Sequence, residues 1–259
     1  MTTRRLAIFA HYDAQGRVKR HVQYHLRALR EVCDTVWFVS SASLSPGELG
    51  TAAALTDRAW TRENVGFDFG MWREALGQAN LSEWDELVLT NSSVFGPLWP
   101  LTRAFETMQR SSCDVWAMTD NVERGWHLQS YFLVFRARCL RSDAFRRFWD
   151  SVELLRDKRE VIESYEVGLS RFLTDEGFEA DALVPERSLP PRPLSHWLRR
   201  PQFFNPTLVQ PLALLERGMP YVKVELLRDN PMEQPLEPVL RAMGRAGYDR
   251  SLIEIDTRP

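Results

Sequence analysis

The chain has 259 residues, 44% of them hydrophobic and 26% charged, which is enough apolar material for a sizeable core and excludes a disordered or fibrous polypeptide. Its net charge of −2 excludes the basic balance of a protein that wraps nucleic acid. Three cysteines, Cys33, Cys113 and Cys139, form no close pair, which argues against a disulfide scaffold or a zinc knuckle and fits a reducing compartment.

The first apolar run, Leu6–Ala10, reads as a buried strand, and His11, Tyr12 and Asp13 open a loop after it. Val18, Val22, Leu26 and Leu29 then recur at helical spacing with Arg and Lys between them. Val36–Val39 is a second strand, so the first forty residues form a βαβ unit and predict a parallel sheet. A weaker strand is expected at Arg58–Trp60, a turn at Glu63–Gly66 and a helix over Phe67–Gln78. Glu86–Thr90 is the best central strand, with Asn91–Pro97 as the loop at its end and a helix over Leu98–Arg110. Asp114–Met118 and Leu128–Phe135 follow as strands, Asp143–Leu155 and Val161–Asp175 as helices, and Phe178–Val184 as another strand. Six prolines then crowd into residues 185–206, which reads as a long irregular loop. Leu208–Glu216 resumes as a helix, Tyr221–Leu226 as a strand and Leu236–Ala246 as a last helix.

The runs Leu6–Ala10 and Tyr131–Phe135 are five residues long, whereas a membrane-spanning helix needs about 20. A cytoplasmic protein is expected, with attachment to the inner face of the membrane through a partner or a basic patch left open.

In an open α/β sheet, ligands bind beyond the C-terminal ends of the strands. The polar residues that fall there are His11, Tyr12 and Asp13; Asn64, Gly66 and Asp68; Asn91, Ser92 and Ser93; and Thr119, Asp120 and Asn121. Any one of them is equally at home in a turn or a helix cap; together they mark a small-molecule site. No G-x-G-x-x-G, Walker A, G-x-S-x-G, H-x-x-x-H-plus-carboxylate or C-x-x-C pattern is present, although His21 and His25 are four apart on one helix. Glu163 and Glu166 lie three apart on one helical face, and Gly168 beside Glu166 leaves room for a close approach. Lys223 and Arg228 place two cations where a diphosphate would be neutralised. Asn205-Pro-Thr is first of all an N-cap and secondarily an anion site.

Read in order, NVGFDFGMW (64–72), DELVLTNSSVFGPL (85–98), DVWAMTDN (114–121), HLQSYFLVF (127–135), YEVGLSRFL (165–173), NPT (205–207) and GMPYVKVELLRDNP (218–231) resemble the rhamnan synthesis protein F family. The resemblance implies an α/β fold: a Rossmann-like, GT-A type sandwich with a mostly parallel central sheet flanked by helices. It implies one domain over residues 1–259, with a nucleotide-binding half at about 1–120 and an acceptor-side half at about 121–259. It further implies a glycosyltransferase of surface-polysaccharide synthesis (rhamnan or the O-antigen of lipopolysaccharide). Such an enzyme moves a deoxyhexose, rhamnose first among them, from a dTDP- or GDP-linked donor to a glycan or lipid-linked glycan, with inversion. On that reading Glu166 is the first choice of base and Asp120 the second. His11, Tyr12, Asp13, Asn64, Gly66, Asp68, Asn91, Ser92, Lys223 and Arg228 hold the donor. His127, Gln129 and Ser130 line the acceptor side.

Thr90-Asn91-Ser92-Ser93 stands where many GT-A enzymes carry Asp-x-Asp, so the resemblance identifies no metal ligands. A magnesium or manganese ion bound elsewhere stays open. So do a transferase using a protein or small-molecule acceptor on the same scaffold, and a non-catalytic glycan-binding or scaffold component of a synthesis complex.

Overall fold

The structure is a computed structural model and describes residues 3–191 and 205–256. Its centre is one eight-stranded sheet. The first βαβ unit forms as the apolar pattern predicts: β1 (Arg5–His11), α1 (Arg20–Arg30) and β2 (Thr35–Ser40), with β1 and β2 parallel. After α2 (Pro46–Ala53), β3 (Arg58–Thr61) adds to the outer side of β2. Helix α3 (Phe67–Leu76) then crosses to β4 (Glu86–Asn91), which lies on the other side of β1 and parallel to it.

The short β5 (Val94–Phe95) and α4 (Thr102–Met108) lead to β6 (Val115–Asn121), β7 (His127–Leu128) and β8 (Phe132–Arg136). Strand β8 inserts antiparallel between β4 and β6, and β9 (Ala180–Val184) pairs parallel with the far side of β6. The sheet order is therefore β3-β2-β1-β4-β8-β6, with β7 and β9 on the last strand. The mostly parallel α/β arrangement expected from the sequence is what forms.

Why β1 is continuously apolar follows from its two neighbours. Leu6, Ile8 and Ala10 enter one core, and Ala7 and Phe9 enter the other, so neither face meets water. Strand β4 divides likewise, with Leu87 and Leu89 on one side and Val88 on the other. A third apolar cluster, around Phe95, Leu98, Leu208, Val222, Leu226 and Val239, holds the C-terminal elements. These are α9 (Pro206–Val209), α10 (Pro211–Glu216), β10 (Val222–Lys223), α11 (Val224–Arg228) and α12 (Leu236–Arg245). β10 pairs antiparallel with β5, setting Lys223 opposite Val94. Gly96 makes this close approach feasible: its φ is 134°, and a Cβ there would lie 2.5 Å from the Pro220 carbonyl oxygen.

Several expected elements differ. The Leu98–Arg110 helix starts at Thr102, because Pro97 and Pro100 keep its first turn irregular. Strand β6 runs on through Thr119, Asp120 and Asn121, because β9 pairs with Thr119 and β7 with Asp120 and Asn121; those three residues are in the ladder and not in a loop. The expected strand Leu128–Phe135 breaks at Gln129–Tyr131. The expected Leu208–Glu216 helix divides at Pro211. Tyr221–Leu226 is a strand for only two residues and then turns helical, burying Leu226 and Leu227 in the third cluster.

The expected Val161–Asp175 helix contains six residues of π-helix, Ile162–Val167, between α7 (Lys158–Val161) and α8 (Gly168–Asp175). Two further helices, α5 (Ala137–Leu140) and α6 (Asp143–Ser151), cover the sheet on that side. Among the described residues no helix is long and apolar enough to cross a membrane. Arg192, Arg199 and Arg200 of the Pro-rich segment lie outside the described residues.

Candidate active site

The antiparallel insertion of β8 has a geometric result. Its beginning, preceded by Gln129–Tyr131, lies at the same edge of the sheet as the C-terminal ends of β4 and β6. Five elements meet there: the end of β4, the first turn of α3, the start of β8, the π-helical turn and β10.

Asn91 at the end of β4 donates from Nδ2 to Asp68 Oδ2 at 2.8 Å and accepts at Oδ1 from the Ser93 amide and hydroxyl. Asp68 sits in the first turn of α3, whose N-cap is Gly66. Gly66 has a φ of 78° and a Cβ there would meet Leu154 at 2.8 Å, so its role is to let the chain turn tightly into α3. Burial raises the Asp68 carboxyl to about 6; Lys223 and Lys158 act in the opposite direction.

Lys223 comes from β10. Its ammonium is 3.4 Å from Ser93 Oγ and lies over the Tyr131 ring at 4.5 Å. Burial lowers its pKa, while Glu166, Glu225 and Asp68 hold it up. One desolvated cation thus stands within electrostatic reach of Asp68 and Glu166, carboxylates carried by two other elements.

Glu166 is the second of those carboxylates. It accepts from Ser130 Oγ at 2.9 Å, and His127 Nε2 lies 3.8 Å from its other oxygen. The π-helical register separates it from Glu163, which points outward and pairs with Arg124. The expectation that both share one face is corrected by that register. Single-turn π insertions recur at functional sites because they re-aim one side chain. His127 Nδ1 faces the Gly125 carbonyl at 2.9 Å, which fixes the ring so that Nε2 faces Glu166.

The other expected site residues are placed differently. Gln129 accepts from Thr119 and donates to Asn205, so it ties β6 to the α9 cap beside the site. Ser92 bonds the backbone of Tyr12, joining the loops after β1 and β4, and the Tyr12 ring is exposed. Asp13 does not present a free carboxylate: it accepts from the Gln15 and Arg17 amides and pairs with Lys19 at 3.0 Å. Buried His11 bonds Ser40 Oγ at 2.8 Å, and burial lowers its pKa to about 4, so it braces the sheet as a neutral ring. Asn64 is exposed on the turn before α3.

Arg228 departs further from expectation. It ends α11 and pairs with Asp229 at 2.8 Å, which takes it out of the cluster. Asp120 is corrected as a base for a similar reason. It is buried, and its two oxygens accept from Trp126 Nε1 at 2.8 Å and from the Glu186 amide at 2.5 Å. His21 and His25 do not form a metal pair: His21 packs on Phe95, and His25 Nε2 bonds the Tyr221 hydroxyl at 2.8 Å.

Asp68, Asn91, Lys223, Glu166, Ser130 and His127 are thus brought together. Ser93, read from the sequence only as one of the polar residues beyond β4, shapes the floor under Lys223 together with Tyr131; sequence reasoning missed Tyr131, and also Lys158, which no motif marked. Among the described residues no three His, Cys, Asp or Glu side chains gather to hold a metal. The loop after β4 supplies amide and hydroxyl oxygens around the single carboxylate of Asp68, with the Lys223 ammonium already nearby. That donor set does not fit a protein-held hard divalent cation. Two cavities of about 420 and 300 Å³ lie elsewhere, one lined by Arg5, Arg30 and Phe105 and one by Pro191, Leu212 and Pro238.

The family model described as rhamnan synthesis protein F matches residues 36–257. The chain is 29% identical to the virulence protein VirA of Vibrio anguillarum over 257 residues, covering 90% of this chain and 82% of that protein. It is 29% identical to the uncharacterized protein y4gN of Sinorhizobium fredii over 133 residues, covering 48% of this chain and 34% of that one. Solved structures superpose weakly. TarS of S. aureus in complex with UDP gives a TM-score of 0.44 at 10% identity, covering 69% of this chain and 60% of that one. The mannosyltransferase PcManGT of Pyrobaculum calidifontis, with GDP-Man and Mn2+, gives 0.42 at 11% identity, covering 95% and 70%. Scores this low carry no functional weight.

Proposed function

The chain belongs to the rhamnan synthesis protein F family, and from that premise we propose that it transfers a deoxyhexose from a nucleotide-sugar donor to a growing surface polysaccharide. The single observation that supports this best is the convergence of Glu166, Asp68 and Lys223 from three separate elements on one sheet edge. The family resemblance directs the choice of rhamnose as the sugar and of a rhamnan-type glycan as the acceptor.

In this reading the donor lies along the loops after β1 and β4, with the exposed Tyr12 ring available to the nucleobase and Asn91 and Asp68 beside the sugar. Glu166 takes the proton of the acceptor hydroxyl as that oxygen bonds to the anomeric carbon. The bond from the anomeric carbon to the diphosphate oxygen breaks with its electron pair, and the nucleoside diphosphate leaves with inversion. Ser130 holds Glu166 in place through the hydrogen bond to Oε2. Lys223 meets the negative charge that develops on the leaving diphosphate. In a desolvated site one such cation is worth far more than at the surface.

The test is sugar transfer or slow donor hydrolysis followed by NMR with dTDP- and GDP-deoxyhexoses. Glu166→Gln is expected to reduce turnover by about 10²–10⁴-fold with the fold intact. Full activity in that variant overturns the assignment of the base, and glycan binding without any nucleotide affinity replaces the proposal with a non-catalytic glycan-binding role.

A further inference from the structure

The Asp120 carboxylate is buried, yet one of its oxygens is spent on an indole that is 37% exposed. A buried carboxylate needs donors, and here one is the Glu186 backbone amide and the other is the indole N–H of Trp126. Using the Nε1–H of a solvent-facing Trp126 adds little burial but gives the ring a set orientation. The hairpin that carries Trp126 is held from three sides. The Val122 amide donates to Glu186 Oε2 at 3.2 Å while the Glu186 amide donates to Asp120, a reciprocal clamp between the hairpin and the chain after β9. Arg124, at a φ of 63°, pairs with Glu163 on the π-helical turn that also carries Glu166. The Leu128 amide donates to Ser170 Oγ at 2.9 Å on α8.

The β6–β7 register pairs Asn121 with His127, so the next residues out on the two arms are Val122 and Trp126. Both are exposed apolar side chains, and they end a rigid hairpin whose next residue, His127, faces Glu166. A rigid, oriented, exposed indole beside a polar reaction centre suits a ligand with one apolar face and a polar rim. A pyranose ring, with C–H groups on one face and hydroxyls around it, has that form.

We propose that Trp126 is a stacking platform for a sugar of the acceptor glycan, beyond the residue that receives the new linkage, and that Asp120 is its positioning residue. This rests on the transferase reading above. It makes the acceptor a chain of at least two sugars, because the platform and Glu166 engage different residues of it.

The test uses the full chain labelled with 5-fluorotryptophan and a linear rhamno-oligosaccharide as the probe, alongside melting with dTDP and GDP. Trp126→Phe identifies the Trp126 fluorine resonance among those of the nine tryptophans. Its melting temperature, matching that of the wild type, shows that the fold is kept. The oligosaccharide is expected to move the Trp126 resonance saturably. Trp126→Ala is expected to weaken binding about tenfold, and Trp126→Phe less because an aromatic face remains. Asp120→Asn is expected to displace the free Trp126 resonance and weaken the oligosaccharide in proportion, whereas a merely structural Asp120 would leave affinity unchanged in the folded protein. Equal affinity in wild type and Trp126→Ala, or a Trp126 resonance that ignores the bound glycan, overturns the proposal. If a nucleoside diphosphate stabilises the protein while Trp126 stays silent, the platform alone is wrong. If neither nucleotide nor glycan binds, the transferase reading falls with it.

Discussion

Asp68→Asn should make the protein more stable and less active. The carboxyl is hydrogen-bonded by Asn91 but desolvated, and its pKa rises from 3.8 to about 6. Below pH 3.8 the group is protonated in both folded and unfolded chains and contributes no pH dependence. Between 3.8 and about 6 the unfolded chain loses its proton while the folded one keeps it, so stability falls as pH rises. Above about 6 both are ionised and the full cost persists. At about 1.4 kcal/mol per pH unit, the rise corresponds to about 3 kcal/mol. The substituted amide still accepts from Asn91, so the variant avoids this cost and keeps the contact. Urea unfolding of both proteins at about pH 4.5, 5.5 and 7.5 reads the difference, which should grow from about 1 through about 2 to about 3 kcal/mol. Comparing the two proteins at each pH cancels the histidine titrations they share. A variant that is less stable than wild type at the highest pH, or a gain that does not change with pH, refutes the claim that a desolvated carboxylate is maintained here at a cost in stability.

The buried histidines act with the opposite sign. Burial holds His11 and His21 at about 4 and His25 at about 3, against 6.5 when exposed, so the unfolded chain binds protons first and stability should fall steeply as pH drops from about 6.5 to 4; an acid melt with no decline in that window contradicts it. Tyr221→Phe strands the buried Nε2 of His25 and should cost about 1–3 kcal/mol, read as a lower urea midpoint with an unchanged slope. Gly96→Ala drives a Cβ to 2.5 Å from the Pro220 carbonyl oxygen at a φ of 134°; it should cost more than about 2 kcal/mol and, by parting β5 from β10, weaken nucleotide binding through Lys223, and a neutral effect on both would contradict the close packing.

What could be read from the sequence follows from where local pattern and tertiary environment agree. β1, α1, β2 and β4 were legible because both faces of the strands are buried and the helix has one apolar stripe. Val224–Leu227 is apolar enough for a strand, and only packing into the third core makes it helical. In the sequence Glu166 stood out through its place beside Gly168 and the family resemblance, Lys223 as a cation in a strand-like run, and Asp68 and Asn91 as residues at strand and helix ends. Their grouping was not, because Lys223 meets Ser93 across 130 positions and Asp68 meets Asn91 across 23. The π-helical register that parts Glu163 from Glu166 leaves no composition signal. Asp120 and Asp13 look like free carboxylates in the string, and only their donors in space show that both are engaged.

The most direct test of the central claim is the melting temperature of wild type and Lys223→Met against dTDP, GDP and UDP, each with EDTA and with Mn2+. A ligand at about 100 times its Kd stabilises the folded state by about 2.7 kcal/mol, which for a chain of this size is roughly 5–10 °C. The account predicts a shift of that order with one nucleotide, retained in EDTA and lost in Lys223→Met. No shift with any nucleotide, or a shift that Lys223→Met leaves untouched, contradicts a donor site built on this sheet edge.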